Sequence, residues 1–261
     1  MGVVYSFGKQ GLVGCVVLFS VLACREFSRL IPDASKTYRY TFITVTLIHF
    51  GLFAFVYKLH YFGVFSGLFA FIFLSVLAIA RTDKSIDQRV RTLALSQVGV
   101  VYCGTLAGLV TQGCLLFGIH FYALLFFVSF GTDTFAYIGG KLMGKNKLTP
   151  LISPNKTIEG SLCGLLGGTA LGMAYTLYFS NHPNHSLYPN SPPNWMIALL
   201  GCLFASGCSQ VGDLFESLTK RHSGVKDSGR LLPGHGGVLD RVDGLLFAAP
   251  FIYLIFLYQY L

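Results

Sequence analysis

The chain has 261 residues, of which 53% are hydrophobic, 15% aromatic and only 11% charged. Soluble domains carry about 25% charged residues, so this composition excludes an ordinary soluble domain, and so much apolar surface excludes a disordered chain. The 19 Lys and Arg against 11 Asp and Glu, a net +8, are read as basic loops beside anionic lipid plus an anionic substrate, with no nucleic acid as partner.

The apolar runs are continuous, whereas an outer-membrane barrel alternates apolar and polar residues. The expected fold is therefore all-α and polytopic in a membrane. About 20 apolar residues cross a bilayer as a helix. In chain order, eight runs qualify, near 10–24, 40–57, 61–80, 92–110, 114–138, 159–179, 195–214 and 242–260. Ala23-Cys24 after the first run imitates a lipoprotein cleavage site, but Arg25, Glu26 and Arg29 follow at once. The charge pattern puts that side in the cytoplasm, so cleavage is rejected. The seven cysteines (15, 24, 103, 114, 163, 202 and 208) form no CxxC pair. They are read as small membrane-embedded residues, neither disulfides nor zinc ligands.

Basic residues alternate between connections. Arg25, Arg29, Lys36 and Arg39 follow the first run; Arg81, Lys84, Arg89 and Arg91 the third; Lys141, Lys145, Lys147 and Lys156 the fifth; and Lys220, Arg221, Lys226, Arg230 and Arg241 the seventh. These 17 fall on one side, leaving Lys9 and Lys58 on the other. The positive-inside rule makes the 17-charge side cytoplasmic and both termini external. The connection at 180–194, with His182 and His185, becomes an outer turn. Along the sixth run, Gly160, Gly164, Gly168 and Gly172 recur every fourth residue, a stripe that lets another helix approach closely.

Ionisable residues in or beside membrane spans are costly and mark function by default. Asp133 lies in the fifth run, Asp213 and Glu216 end the seventh, and Asp240 and Asp243 start the eighth. All five belong to one end of the molecule. Ser206, Ser209, Gln210, Asp213, Glu216, Ser217 and Lys220 follow helical spacing and share one face. The connection from Lys220 to Asp243 mixes cations, glycines and carboxylates. Glycines admit phosphate oxygens to backbone N–H groups; Lys and Arg neutralise those oxygens; Asp oxygens with water and phosphate suit Mg²⁺. Gly139 to Lys145 imitates a P-loop but lacks its GK[ST] ending and follows no strand. Ser153-Pro154-Asn155-Lys156 reads as a turn before a helix. Lys156 there suits either a phosphate contact or an interfacial anchor.

Ser217-x-x-Lys220-Arg221-x4-Lys226-Asp227-x5-Pro233-x-His235-Gly236-Gly237-x2-Asp240-Arg241-x-Asp243 resembles the signature of the phosphatidate cytidylyltransferases, also called CDP-diacylglycerol synthases. Gly212-Asp213-Leu214-x-Glu216, Asp133-Thr134-x-Ala136-Tyr137 and Ser153-Pro154-Asn155-Lys156-Thr157-x-Glu159-Gly160 extend the likeness, which covers about 130 to 243. Upstream, only Arg25-Glu26-Phe27-x-Arg29-Leu30 is similar. Asn155 departs from the pattern, where a basic residue is common. Family members usually carry a further N-terminal membrane segment; one more inward-starting span would bring the count to nine with the N-terminus in the cytoplasm.

The resemblance implies that CTP and phosphatidate give CDP-diacylglycerol and pyrophosphate. It implies Asp213 and Asp240 as metal ligands for Mg²⁺, with K⁺ as the candidate second metal, and Asp243 and Lys226 as further catalytic residues. Ser153, Lys156, Ser217, Lys220, Arg221, His235 and Arg241 would bind substrate, His235 either polarising a phosphate or serving its glycine turn. Asp227 would orient Lys226. The resemblance also implies a homodimer in a bacterial inner (plasma) membrane, with the site at the cytoplasmic face. Residues 1–130 are expected to form a membrane scaffold and 131–261 the catalytic region. The alternatives are another CTP-dependent lipid enzyme (a polyprenol kinase or CDP-archaeol synthase) and an anion transporter. A transporter places charge near the midplane and often repeats internally; this chain does neither.

Overall fold

The computed structural model describes residues 2–56, 60–180, 194–229, 231 and 236–260. Nearly all of these are helical: α1 (Gly2–Leu30), α2 (Lys36–Phe55), α3 (His60–Ile79), α4 (Ile86–Gly99), a π-helical stretch (Val100–Leu106), α5 (Ala107–Phe117), α6 (Ile119–Met143), α7 (Ile158–Ser180), α8 (Trp195–His222) and α9 (Leu239–Tyr260). Between α6 and α7 lies a hairpin of β1 (Lys147–Thr149) and β2 (Ser153–Thr157). The fold is the all-α polytopic class expected, with this hairpin as its one sheet among the described residues.

Seven segments are long and apolar enough to cross a membrane among the described residues: Gln10–Leu30, Phe62–Ile79, Ile86–Phe117, Ile119–Met143, Ile158–Ser180, Trp195–His222 and Leu239–Tyr258. The run expected at 40–57 is also helical, as α2. Its described portion carries Lys36, Arg39, four threonines and His49, and it falls outside the seven. The expected break near 111–113 lies instead at Gly118. Thr111 returns its hydroxyl to Ala107 O (3.0 Å) and stays inside the helix. The chain turns where glycine permits φ 71°.

The described contacts divide the chain into two units, Met1–Leu115 with Thr219–Arg241, and Leu116–Leu218 with Val242–Leu261. In the first, α2 packs on α1, α3 and the π-helical stretch. Ser35 caps α2 by accepting from Tyr38 N–H (3.1 Å). Ser85 and Gln88 close a reciprocal capping box on α4. Phe27, Phe42, Leu74, Tyr102 and Cys103 fill the core. Gly99 meets Phe27 and Phe42 so closely that no Cβ fits. Buried His49 places both ring nitrogens at 2.9 Å from hydroxyls, those of Ser66 and Thr105, so this polar side chain is satisfied inside an apolar bundle. Helix α3 leaves Phe65 66%, Phe69 64% and Ile72 61% exposed. An outward face this apolar suits lipid contact, not water.

In the second unit, α6 and α7 lie against each other along most of their length. The glycine stripe makes this possible. A Cβ at Gly160 would stand 2.7 Å from Ala136 O, and one at Gly164 2.7 Å from Thr132 O. The stripe therefore serves a contact within the chain. Hydroxyls tie α8 on: Thr132 to Ser206 (2.6 Å) and Ser129 to Ser209 (2.8 Å). Gly212 approaches the Asp243 carbonyl of α9 with no space for a side chain.

Candidate functional site

The second unit holds a cavity of about 470 Å³ walled by α6, the hairpin, the start of α7, and α8. Helix α6 supplies Asp133, Tyr137 and Lys141, each four residues apart and hence on one face. Strand β2 supplies Ser153, Asn155 and Lys156, α7 supplies Ser161, and α8 supplies Gln210 and Asp213.

The hairpin is set locally. Lys147 pairs with Thr157 and Thr149 with Ser153 in antiparallel register. Glu159 ties the segment before β1 to the start of α7, accepting from Lys145 N–H (3.0 Å), Asn146 N–H (3.2 Å) and Asn146 Nδ2 (2.8 Å). Thr157 Oγ1 accepts from Gly160 N–H (3.1 Å) and so caps that helix start. Lys156 is thereby delivered by a fixed strand, and its ammonium forms an ion pair with Asp213. Ser217, one turn further along α8, lies 3.5 Å from the other Asp213 oxygen. Gln210 holds α8 to α7 through Ser161, by Nε2 to its carbonyl (3.0 Å) and Oε1 from its hydroxyl (2.5 Å). Asp243 Oδ1 accepts from Gly244 N–H (2.8 Å) on α9.

A second polar cluster lies within the first unit. Asp240 Oδ1 receives Lys220 Nζ at 2.6 Å. Its Oδ2 accepts from Gly237 N–H (2.7 Å), Ser228 Oγ (2.9 Å) and Ser228 N–H (3.1 Å). Ser228 is buried, while Lys226 and Asp227 just before it are exposed, as are Arg221 and Arg241. His235 lies outside the described residues.

Of the residues expected to act, Ser153, Lys156 and Asp213 thus share one cavity, and Lys220 and Asp240 share one ion pair. The sequence reading had singled out Asp133 as an intramembrane acid without giving it a role. Tyr137 and Glu26 stood there only within motifs and Lys141 only among the basic residues, while Ser161 and Ser228 carried no role. The four-residue spacing from Asp133 through Tyr137 to Lys141 was the available signal.

Sequence comparison matches residues 1–259 to the Cytidylyltransferase family. The chain belongs to that family. Among its relatives are proteins named phosphatidate cytidylyltransferase. That of Staphylococcus epidermidis is 45% identical over 135 residues, 52% of this chain and 48% of the relative. Those of Staphylococcus haemolyticus and Staphylococcus aureus are 46% and 47% identical over 135 residues, with the same coverage. The chain thus spans about half the length of the curated relatives it matches. For a cytidylyltransferase, the cavity has a fitting chemistry. Its acids and cations adjoin hydroxyl and amide oxygens, with no cysteine among the lining residues. Mg²⁺ binds through one or two carboxylates plus water and substrate phosphates, not through an all-protein cage. Asp133 and Asp213, both lining this cavity, meet that requirement.

Proposed function

We propose that this chain transfers a cytidylyl group from CTP to phosphatidate, giving CDP-diacylglycerol and pyrophosphate. The observation that carries the reading is the Lys156–Asp213 pair in a cavity that also holds Asp133 and Lys141. It offers cations for phosphate and carboxyl groups for a divalent ion at the end of apolar helices. Family membership and the relatives' names support the same substrate pair.

In this reading a phosphatidate oxygen attacks the α-phosphorus of CTP. A new P–O bond forms, the bond to the α,β-bridging oxygen breaks, and pyrophosphate leaves with that electron pair. Such chemistry needs positioning and charge neutralisation more than a covalent intermediate. Lys156 and Ser153 hold phosphate oxygens on the hairpin side. Ser217, Lys220, Arg221, Lys226 and Arg241 do so along the signature segment. Asp213, with Asp133 beside it in the cavity, is a proposed Mg²⁺ ligand; Asp240 is the proposed ligand of the signature segment, Asp243 assisting, with K⁺ as the second ion. Bound Mg²⁺ would supply positive charge at the reacting phosphates. Lys156 and Lys220 each sit on one of those carboxyl groups, and each ammonium can exchange a carboxyl oxygen for a phosphate oxygen. The basic side is taken as the cytoplasmic face of a bacterial plasma membrane, the phase that supplies CTP, and the working assembly as a homodimer.

Purified protein is expected to release pyrophosphate from CTP only when phosphatidate and Mg²⁺ are both present. Asp213→Asn and Asp240→Asn should each abolish CDP-diacylglycerol formation while keeping the wild-type gel-filtration profile. Near-normal turnover in both variants would remove the metal assignment. Release of CDP with a phosphorylated alcohol would reassign the chain to a lipid kinase.

A further inference from the structure

One acid outside the residues assigned above lies against the segment that carries them. Glu26 stands near the end of α1 and is 5% exposed. Its Oε2 accepts from the backbone N–H of Leu239, the first residue of α9, at 2.8 Å. The same oxygen lies 3.3 Å from Ser228 Oγ, which is also 2.9 Å from Asp240 Oδ2. One serine hydroxyl thus stands within reach of both carboxyl groups. Gly229 and Gly237 pass so close to the Glu26 carboxyl that a Cβ on either would overlap it. All these residues belong to the first unit.

The physics favours an anchor. The first N–H groups of a helix have no intrahelical partner, and a carboxyl group at that end is favourably placed. An acid near the end of a membrane helix is costly unless partnered. Here the partners are Leu239, next to Asp240 in the chain, and Ser228, hydrogen-bonded to Asp240. If either moves away, Glu26 loses a hydrogen bond while remaining buried, and a buried unsatisfied group is strongly penalised.

We propose that Glu26 is a positioning residue for nucleotidyl transfer: it fastens the start of α9 and Ser228 to α1, and so keeps Asp240 and Lys220 in place. It contacts no substrate. The catalytic part of this inference rests on the function proposed above; the anchoring part does not. An orienting group that makes no substrate contact should act on kcat more than on KM.

The test uses the full chain, purified, as wild type, Glu26→Ala and Glu26→Gln. Amide exchange at Gly237 and Leu239, without substrates, reads the anchor; initial rates with CTP and phosphatidate read its consequence. Glu26→Ala should speed exchange at Leu239 by about tenfold or more. It should lower kcat by about tenfold with KM for CTP within about threefold. Glu26→Gln keeps an oxygen acceptor for the Leu239 N–H and should recover about half of the wild-type kcat or better. Unchanged exchange in Glu26→Ala, kcat within about twofold of wild type, or no recovery in Glu26→Gln would each overturn the proposal. If Glu26→Ala does not purify, Ser228→Ala, which removes the shared hydroxyl, should lower kcat by about threefold, and wild-type kcat there overturns it. A wild-type chain with no pyrophosphate release refutes the reaction, and amide exchange then decides the anchor alone.

Discussion

Lys156 shows how the fold places one side chain proposed to hold phosphate. Its side chain is 27% exposed and that of its Asp213 partner 34%, so solvent screens the pair and its stabilising effect is small. Its value lies in placing a mobile cation beside a carboxyl group, on a strand whose register is held at Thr157 and Ser153. Lys156→Met is expected to lower kcat/KM for CTP about tenfold to a hundredfold through loss of a charge-assisted phosphate contact. The thermal midpoint should stay near wild type; initial rates and a melting curve in detergent check both. Asp213 and Lys156 were visible in the sequence as an acid and a base near span ends. Their ion pair was not, because it depends on a hairpin that a Ser-Pro-Asn-Lys turn does not announce. Glu26 was quoted within a short motif, yet its partners lie 202 and 213 positions away along the chain, a separation that no local pattern carries.

At the scale of helices, the α6–α7 pair rests on missing side chains. A Cβ at Gly168 would stand 2.8 Å from Ser206 Oγ and 2.9 Å from Val128 O. Gly168→Leu should therefore separate three helices that hold the cavity. Overpacking of this kind costs about 1–3 kcal/mol, occasionally more, and should appear as a lower thermal midpoint together with lost activity. Gly207→Ala is the control. Its nearest neighbour would be Leu165 Cδ1 at 3.7 Å, so packing is undisturbed and the midpoint should match or slightly exceed wild type. The stripe and the helices were legible because the same fourfold spacing sets both the sequence pattern and the helical face. Helix ends were less so. Thr111 and Gln112 look like a break in an apolar run, yet both are buried within a helix; the turn waits for Gly118 and its positive φ.

For the molecule as a whole, charge asymmetry should govern orientation. In a chain with native cysteines replaced, Leu151→Cys at the hairpin tip and Asn194→Cys before α8 should label from opposite sides with a membrane-impermeant thiol reagent. Leu151 is 94% exposed and Asn194 is also exposed, so both thiols are accessible to the reagent. Leu151 should react in inside-out vesicles and Asn194 in intact cells; the reverse pattern would invert the proposed topology.

Membrane class, the helical character of the apolar runs and the residues of the signature are properties of composition and local spacing, and the sequence alone determined them; it counted eight spans where seven described segments qualify. A bilayer demands long apolar helices, and a helical period reveals itself within a dozen residues. Only the tertiary structure decided which polar groups meet: Lys156 with Asp213, Lys220 with Asp240, and Glu26 with Ser228 and Leu239. Those pairings depend on distance between residues remote in sequence, which the packing of small residues, a positive-φ turn and a short hairpin jointly set.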